Sequence, residues 1–280
     1  MSVWSCLWLP MWDAVWRRGV NTPALRRHAE RFAGAKEAAL AHQIIATRHG
    51  FAIDEGWPLR HALTAALDRR DDWVGAFGSV ARLSQDVAVS GHWPQAPFIA
   101  LGTHWGAGMP TLAHLCAQGL KPRFVYRQEP ESVWANSAAK AAHRLHLKAI
   151  DRFGGSIRVG GAYAQIMDAL AEDATPVILI DAPADGRPTL TGRADTNHVR
   201  IRSGLLDMLC RERIQYVFYR CGFDPETGQR HLEIGPAQQP QSPQSIADQA
   251  ARHLQRALAL DSAQWRLWMV ADALLEKASV

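Results

Sequence analysis

Cysteine is scarce in this chain, and what there is has the wrong spacing for bridging or metal work. The four residues, Cys6, Cys116, Cys210 and Cys221, form no Cys-x-x-Cys pair. They read as reduced thiols and core fillers, which argues against a disulfide scaffold or a zinc ribbon. No run approaches the ~20 apolar residues that a membrane-spanning helix needs. The N-terminus lacks a basic stretch followed by a clean apolar core, so a cleaved signal peptide is not expected. There is no internal repeat, no Gly-x-Ser-x-Gly elbow of the α/β hydrolases, and no motif with the spacing of a nucleic-acid reader. One further gap is local: no Asp or Glu occurs anywhere from Ser90 to Gln128.

What is present describes an ordinary folded chain. At 280 residues, 48% hydrophobic and 21% charged, it can bury a sizeable core as one large domain or two small ones. The net charge of +4 is too small to argue for nucleic acid, although arginine clusters at 17–18, 26–31 and 187–202 suit anionic partners. The 12 histidines are scattered: His143 and His146 stand three apart, beside His92, His104 and His114 elsewhere in the chain. With no co-placed carboxylate or cysteine, no metal site is expected.

The N-terminal stretch MSVWSCLWLPMWDAVWRRGV places Trp4, Trp8, Trp12 and Trp16 four residues apart, a slowly drifting stripe on a helix. Pro10 and Asp13 interrupt it. Two readings follow from the physics. Either the indoles pack on the domain with their N–H groups at its edge, or they sit at headgroup level while Arg17 and Arg18 meet anionic lipid.

Residues 23–87 read as helical. A first helix runs to Gly50, a second covers roughly PLRHALTAALDRR from Pro58, and a third spans about Asp72–Gln85. From residue 98 short apolar runs alternate with amphipathic stretches. Strands are expected at 98–104, 122–128, 175–183, 214–223 and in RHLEIGPA, with helices between, one of them IRSGLLDMLCRE, and WRLWMVADALL closing the chain. The pattern predicts an α/β fold with a mostly parallel central sheet flanked by helices and preceded by a helical N-terminal section. The expected organisation is a Trp-rich segment at 1–20, the helical section at 21–90 and the α/β domain at 91–280. Ligands of such sheets sit beyond the carboxyl ends of the strands. That rule gathers His104, Arg127 and the stretch from Asp181 to Arg187, each directly after an expected strand.

In order, the blocks LGTHWGAGMPTLAHL, FVYRQEP, AAHRLHLKAIDRFGGSI, VILIDAPADGRPTLTGRA, SGLLDMLCRERIQYVFYR and HLEIGPA resemble the bacterial lipid A late acyltransferases, within the wider lysophospholipid and glycerol-3-phosphate acyltransferase-like group. The likeness covers about residues 95–275 and rests on block order and spacing. It implies a glycerol-3-phosphate-acyltransferase-like fold and a peripheral protein at the cytoplasmic face of the bacterial inner membrane, with Trp4, Trp8, Trp12 and Trp16 toward the lipid. The donor would be acyl-acyl carrier protein or acyl-CoA, with no bound cofactor. The acceptor would be a hydroxyl on a lipid or lipid-linked molecule. Partners would be acyl carrier protein and the membrane surface.

The resemblance also implies site residues. The group's signature is His, four residues, then Asp or Glu, with the histidine as general base and the carboxylate orienting it. His104 matches the histidine; Met109 stands at the carboxylate position. Arg127, Arg144, Asp181, Asp185, Arg187 and Arg193 fall at expected substrate contacts, with Arg200 and Arg202 nearby and Ser203-Gly204 opening a helix that could offer N–H groups to an anion. Where the group carries Phe-Phe-Gly, this chain has Leu190-Thr191-Gly192, which argues against lipid A itself as acceptor. Three outcomes are open at His104. It acts alone, it borrows Asp181 or Asp185 from the neighbouring strand end, or catalysis is lost and the fold binds an acyl chain, a carrier or a partner acyltransferase. A carboxylate within about 2.6–3.2 Å of His104 discriminates between them.

Overall fold

Buried strands that are apolar at every position, such as Ile99–Gly102, need helices on both faces, and the chain supplies them. The structure, a computed structural model, describes residues 33–78, 80–85, 87–106, 108–126, 137–184 and 186–277. The Trp stripe of Trp4, Trp8, Trp12 and Trp16, together with Arg127 and Asp185, lies outside these. In chain order the elements are α1 (Ala33–Arg48), α2 (Trp57–Phe77), α3 (Val80–Gln85), β1 (Val87–Ser90), β2 (Ile99–Gly102), α4 (Met109–Ala117), β3 (Lys121–Tyr126), α5 (Ser137–Phe153), β4 (Ser156–Arg158), α6 (Ala162–Ala171), β5 (Ala174–Leu179), β6 (Thr189–Gly192), β7 (Asn197–Arg202), α7 (Ser203–Glu212), β8 (Tyr216–Phe223), β9 (Arg230–Ile234), α8 (Pro243–Asp261), α9 (Ala271–Leu274) and β10 (Leu275–Lys277).

The central sheet has seven strands in the order β1-β9-β8-β2-β5-β3-β4. Every neighbouring pair is parallel except β8 with β9, which are antiparallel. Helices α4 and α5 pack on one face against Ala100, Val177 and Val217. Helices α6, α7 and α8 pack on the other against Ile99, Leu101 and Ile178. This is the expected α/β architecture with a mostly parallel, helix-flanked sheet.

Several details differ from the sequence expectation. The second and third helices are joined differently: α2 runs unbroken to Phe77, and α3 is a separate short helix. The helical section does not end in helix, because Val87–Ser90 adds an edge strand alongside β9. A second, antiparallel sheet, β10-β7-β6, was not expected at all. Its strand β7 takes Ile201 and Arg202 from the stretch read as helix, and its burial alternates strictly inward and outward over Asn197–Ile201. Gly192 at the end of β6 has a packing reason: a Cβ there would lie 2.1 Å from the Ala247 carbonyl oxygen of α8. Any side chain would push α8 off the small sheet.

A buried and a half-buried histidine, His61 and His253, tie helices to their neighbours. His61 on α2 donates from Nδ1 to the Ala263 carbonyl at 2.8 Å and accepts from His42 Nδ1 at 2.7 Å, its ring stacked on Trp57. His253 on α8 donates to the Tyr219 carbonyl at 2.9 Å and stacks on Phe218. Burial, only partly offset by these carbonyl contacts, pulls both imidazoles down to about 4. Both are therefore neutral in the fold and take up protons more readily once unfolded. Their contribution is whole above the unfolded value near pH 6.5 and is lost as the pH falls from there toward 4. At full extent the loss is roughly 3 kcal/mol per histidine. The urea midpoint is therefore expected to fall between pH 7 and pH 5, and to fall less in a His253→Gln variant; a midpoint independent of pH across this range would contradict it.

Candidate active site

In the sheet order, β2 and β5 are neighbours whose onward connections leave in opposite directions. The chain goes from β2 through α4 to β3 on one side, and from β5 through β6, β7 and α7 to β8 on the other. Such a switch point opens a crevice beyond the carboxyl ends of the two strands. His104 follows β2 by two residues and Asp181 follows β5 by two. The Ile180 N–H bonded to the Gly102 carbonyl at 2.9 Å continues the pairing past both strand ends and brings these residues side by side.

The contact between them is tight. His104 Nδ1 lies 2.7 Å from Asp181 Oδ1, and the His104 backbone N–H reaches both carboxylate oxygens, at 3.0 and 2.9 Å. The Trp265 indole N–H donates to Oδ2 at 2.8 Å. Asp181 is 1% exposed and the His104 side chain 31%. Burial works to raise the Asp181 carboxyl, but the His104 charge and the hydrogen bonds from His104 and Trp265 outweigh it and hold it below the usual carboxylate range. An ionised carboxylate only accepts, so Nδ1 carries a proton, and in the neutral ring Nε2 keeps its lone pair. Among the described residues nothing bonds Nε2.

The carboxylate absent at position 109 is thus supplied by Asp181, 77 residues downstream of His104. Met109 itself opens α4 and is buried in the core with Leu112, Phe98 and Val177, so its side chain takes no part in the relay. Between His104 and α4 the chain turns at Gly106, whose φ of +71 suits glycine. A Cβ there would also meet the Cys221 carbonyl oxygen at 2.0 Å. No side chain caps α4; Pro110 in its first turn has no N–H, and the Thr111 N–H donates to the Gly108 carbonyl at 3.0 Å.

The other expected site residues divide. Asp181, placed by resemblance among the substrate contacts, is instead buried against His104 and orients it. Arg144 is exposed on α5, and no polar contact joins it to His104 or Asp181. Arg187 is exposed in the loop after Asp181. Arg193 is exposed too, with its backbone N–H held by Asp248 at 2.8 Å. Arg200 pairs with Glu276 of the small sheet. Arg202 donates from Nε to the Pro183 carbonyl at 2.9 Å and so braces the loop that carries Asp181. Ser203 opens α7, as expected.

Sequence reasoning missed Trp265 and the segment around it. The signal was the WRLW stretch, because a buried indole needs an acceptor for its N–H. A cleft of about 1290 Å³ was also not foreseen. Trp105, Gly222, Phe223, Arg220, Leu258 and Asp261 are among its lining residues, whereas His104 is not. Of the scattered histidines, His146 pairs with Asp72 at 2.7 Å and His114 accepts from the Trp93 indole at 2.9 Å. Among the described residues no cluster suited to a metal ion occurs.

The fold and site together define an α/β protein with a carboxylate-held histidine at its switch point. No family model matches the chain, and no curated protein matches it.

Proposed function

We propose that the chain is an O-acyltransferase of the glycerol-3-phosphate-acyltransferase-like kind. It would move an acyl group from an acyl carrier thioester to a hydroxyl of a lipid or lipid-linked acceptor. The observation that carries this reading is the His104–Asp181 pair, a histidine with a free Nε2 and a buried carboxylate on Nδ1, standing just beyond the carboxyl ends of β2 and β5. Nε2 takes the proton of the acceptor hydroxyl as its oxygen attacks the thioester carbonyl. Asp181 steadies the imidazolium that forms. The tetrahedral intermediate then expels the thiolate, which recovers the proton from His104.

Two surfaces support the setting. On α5, Lys140, Arg144, Lys148 and Arg152 recur every fourth residue, a basic row suited to an acidic carrier protein. On α1, Leu40 and Ile44 stand four apart and 47% and 65% exposed, and Met269 near that helix is 67% exposed. Exposed apolar groups of this kind suit a peripheral contact with the inner membrane's cytoplasmic face. No helix among the described residues is long and apolar enough to cross a membrane.

The test is transfer of a radiolabelled acyl group from acyl carrier protein to total bacterial membrane lipid. Label is expected in the lipid fraction with the wild-type protein and none above background with His104→Ala. Equal transfer by both would remove His104 from the chemistry. Carrier binding without transfer by either would favour a non-catalytic acyl- or carrier-binding protein.

A further inference from the structure

We infer that Trp265 is a positioning residue for the base, the third member of a Trp265–Asp181–His104 chain; this rests on the reading of His104 as the base. Four buried or nearly buried indoles crowd this region, and each N–H has an acceptor. Trp57 donates to the Ser262 hydroxyl, Trp105 to the Asp261 carbonyl and Trp268 to the Ser262 carbonyl. Those three contacts use neutral acceptors and serve packing. Trp265 alone of the four donates to a charged group, and that group is the carboxylate that holds the base.

The geometry explains what the contact does. Asp181 Oδ1 is taken by His104 Nδ1, and the backbone N–H of His104 is shared between the two oxygens. Without Trp265, Oδ2 would have only a share of one N–H in a site almost closed to water, and the carboxylate could rotate about its stem. The indole fixes that rotation. Trp265 is itself fixed: it is fully buried and packs edge-on against Trp268 at 4.8 Å. The same segment also grips the strand end that carries the base, because Arg266 N–H donates to the His104 carbonyl and Gly106 N–H to the Gln264 carbonyl, both at 2.9 Å. Residues 264–266 therefore set His104 through its backbone and Asp181 through its side chain. A helix-to-terminus connector of this kind is invisible to motif reasoning, because nothing in it reacts.

The test compares Trp265→Phe, which keeps the ring and removes the N–H, with Trp57→Phe, whose indole donates to the Ser262 hydroxyl. For Trp265→Phe, kcat for acyl transfer is expected to fall roughly ten- to a hundredfold, the worth of a hydrogen bond to a charged group, with KM unchanged. The loss should vanish when Asp181 is already Asn, because the two residues act through one contact. Trp57→Phe should lower the melting temperature without this kcat loss. A second readout needs no turnover: the His104 Nδ1 proton resonance should move in Trp265→Phe and stay in Trp57→Phe. If Asp181→Asn loses activity while Trp265→Phe keeps both kcat and the resonance, the inference is wrong and the proposed function stands. If the wild type transfers nothing, the proposed function fails and the resonance alone decides, an unmoved signal overturning the role of Trp265.

Discussion

Asp181→Asn is expected to lower kcat for acyl transfer about 10³- to 10⁴-fold while the protein stays folded. The size follows from the corresponding change in serine proteases, where losing the orienting carboxylate costs about 10⁴ through the wrong tautomer. Here the argument is local. The carboxylate accepts from His104 Nδ1, from the His104 backbone N–H and from the Trp265 indole. An amide of the same shape has one accepting oxygen, so its NH2 must face one of these donors. If it faces Nδ1, the imidazole is driven to carry its proton on Nε2, and the base is lost. Steady-state kinetics at saturating carrier thioester checks this, with the circular dichroism melt as the folding control. A variant within threefold of wild type would show that Asp181 does not orient the base.

The second large effect concerns stability. Asp71 on α2 is fully buried and receives Arg230 Nη2 from β9 at 2.7 Å and Arg70 Nη1 at 3.0 Å. The Arg230 side chain is only 5% exposed. This ion pair locks the N-terminal helical layer to the edge half of the sheet. Arg230→Met removes one cation and leaves a buried carboxylate with half its partners. Breaking a buried pair in this way costs about 3 kcal/mol or more. At roughly 2–4 °C per kcal/mol for a chain of this size, the melting temperature should drop by about 6–12 °C. Replacing both members by apolar residues, Asp71→Leu with Arg230→Met, should recover part of the loss, because the fully buried carboxylate is gone and only the Arg70 contact to it is given up. A single variant as stable as wild type would mean that Arg70 alone satisfies Asp71.

Much of the central sheet was legible because its strands are apolar on both faces. Ile99–Gly102 and Tyr216–Phe223 fall inside stretches that read as strands, and Ala174–Leu179 begins one residue before the stretch read at 175–183. The small sheet was not legible. Asn197–Arg202 is half exposed and runs straight into α7, so its last residues, Ile201 and Arg202, read as the start of that helix. Val87–Ser90 is a four-residue edge strand, mostly exposed, with too little burial to show a period.

The site was half legible. Strand-end placement picked out both His104 and Asp181, and the empty carboxylate position at Met109 posed the right question. Pairing the two residues needed the strand order, because only adjacency of β2 and β5 brings positions 104 and 181 into contact. Single-sequence reading does not supply strand order. Trp265 was further out of reach, since its role depends on a turn after α8 folding back against the His104 strand end.

The central claim is that Asp181 gives His104 the protonation pattern of a base, and the most direct measurement is the tautomer of that ring. Nitrogen-15 NMR of histidine-labelled protein near neutral pH separates the two neutral forms, with His104→Gln assigning the signal. The account predicts Nδ1 protonated and Nε2 bare, with that pattern lost in Asp181→Asn. An Nε2-protonated ring in the wild type would contradict it, because such a ring has no lone pair to offer the acceptor hydroxyl.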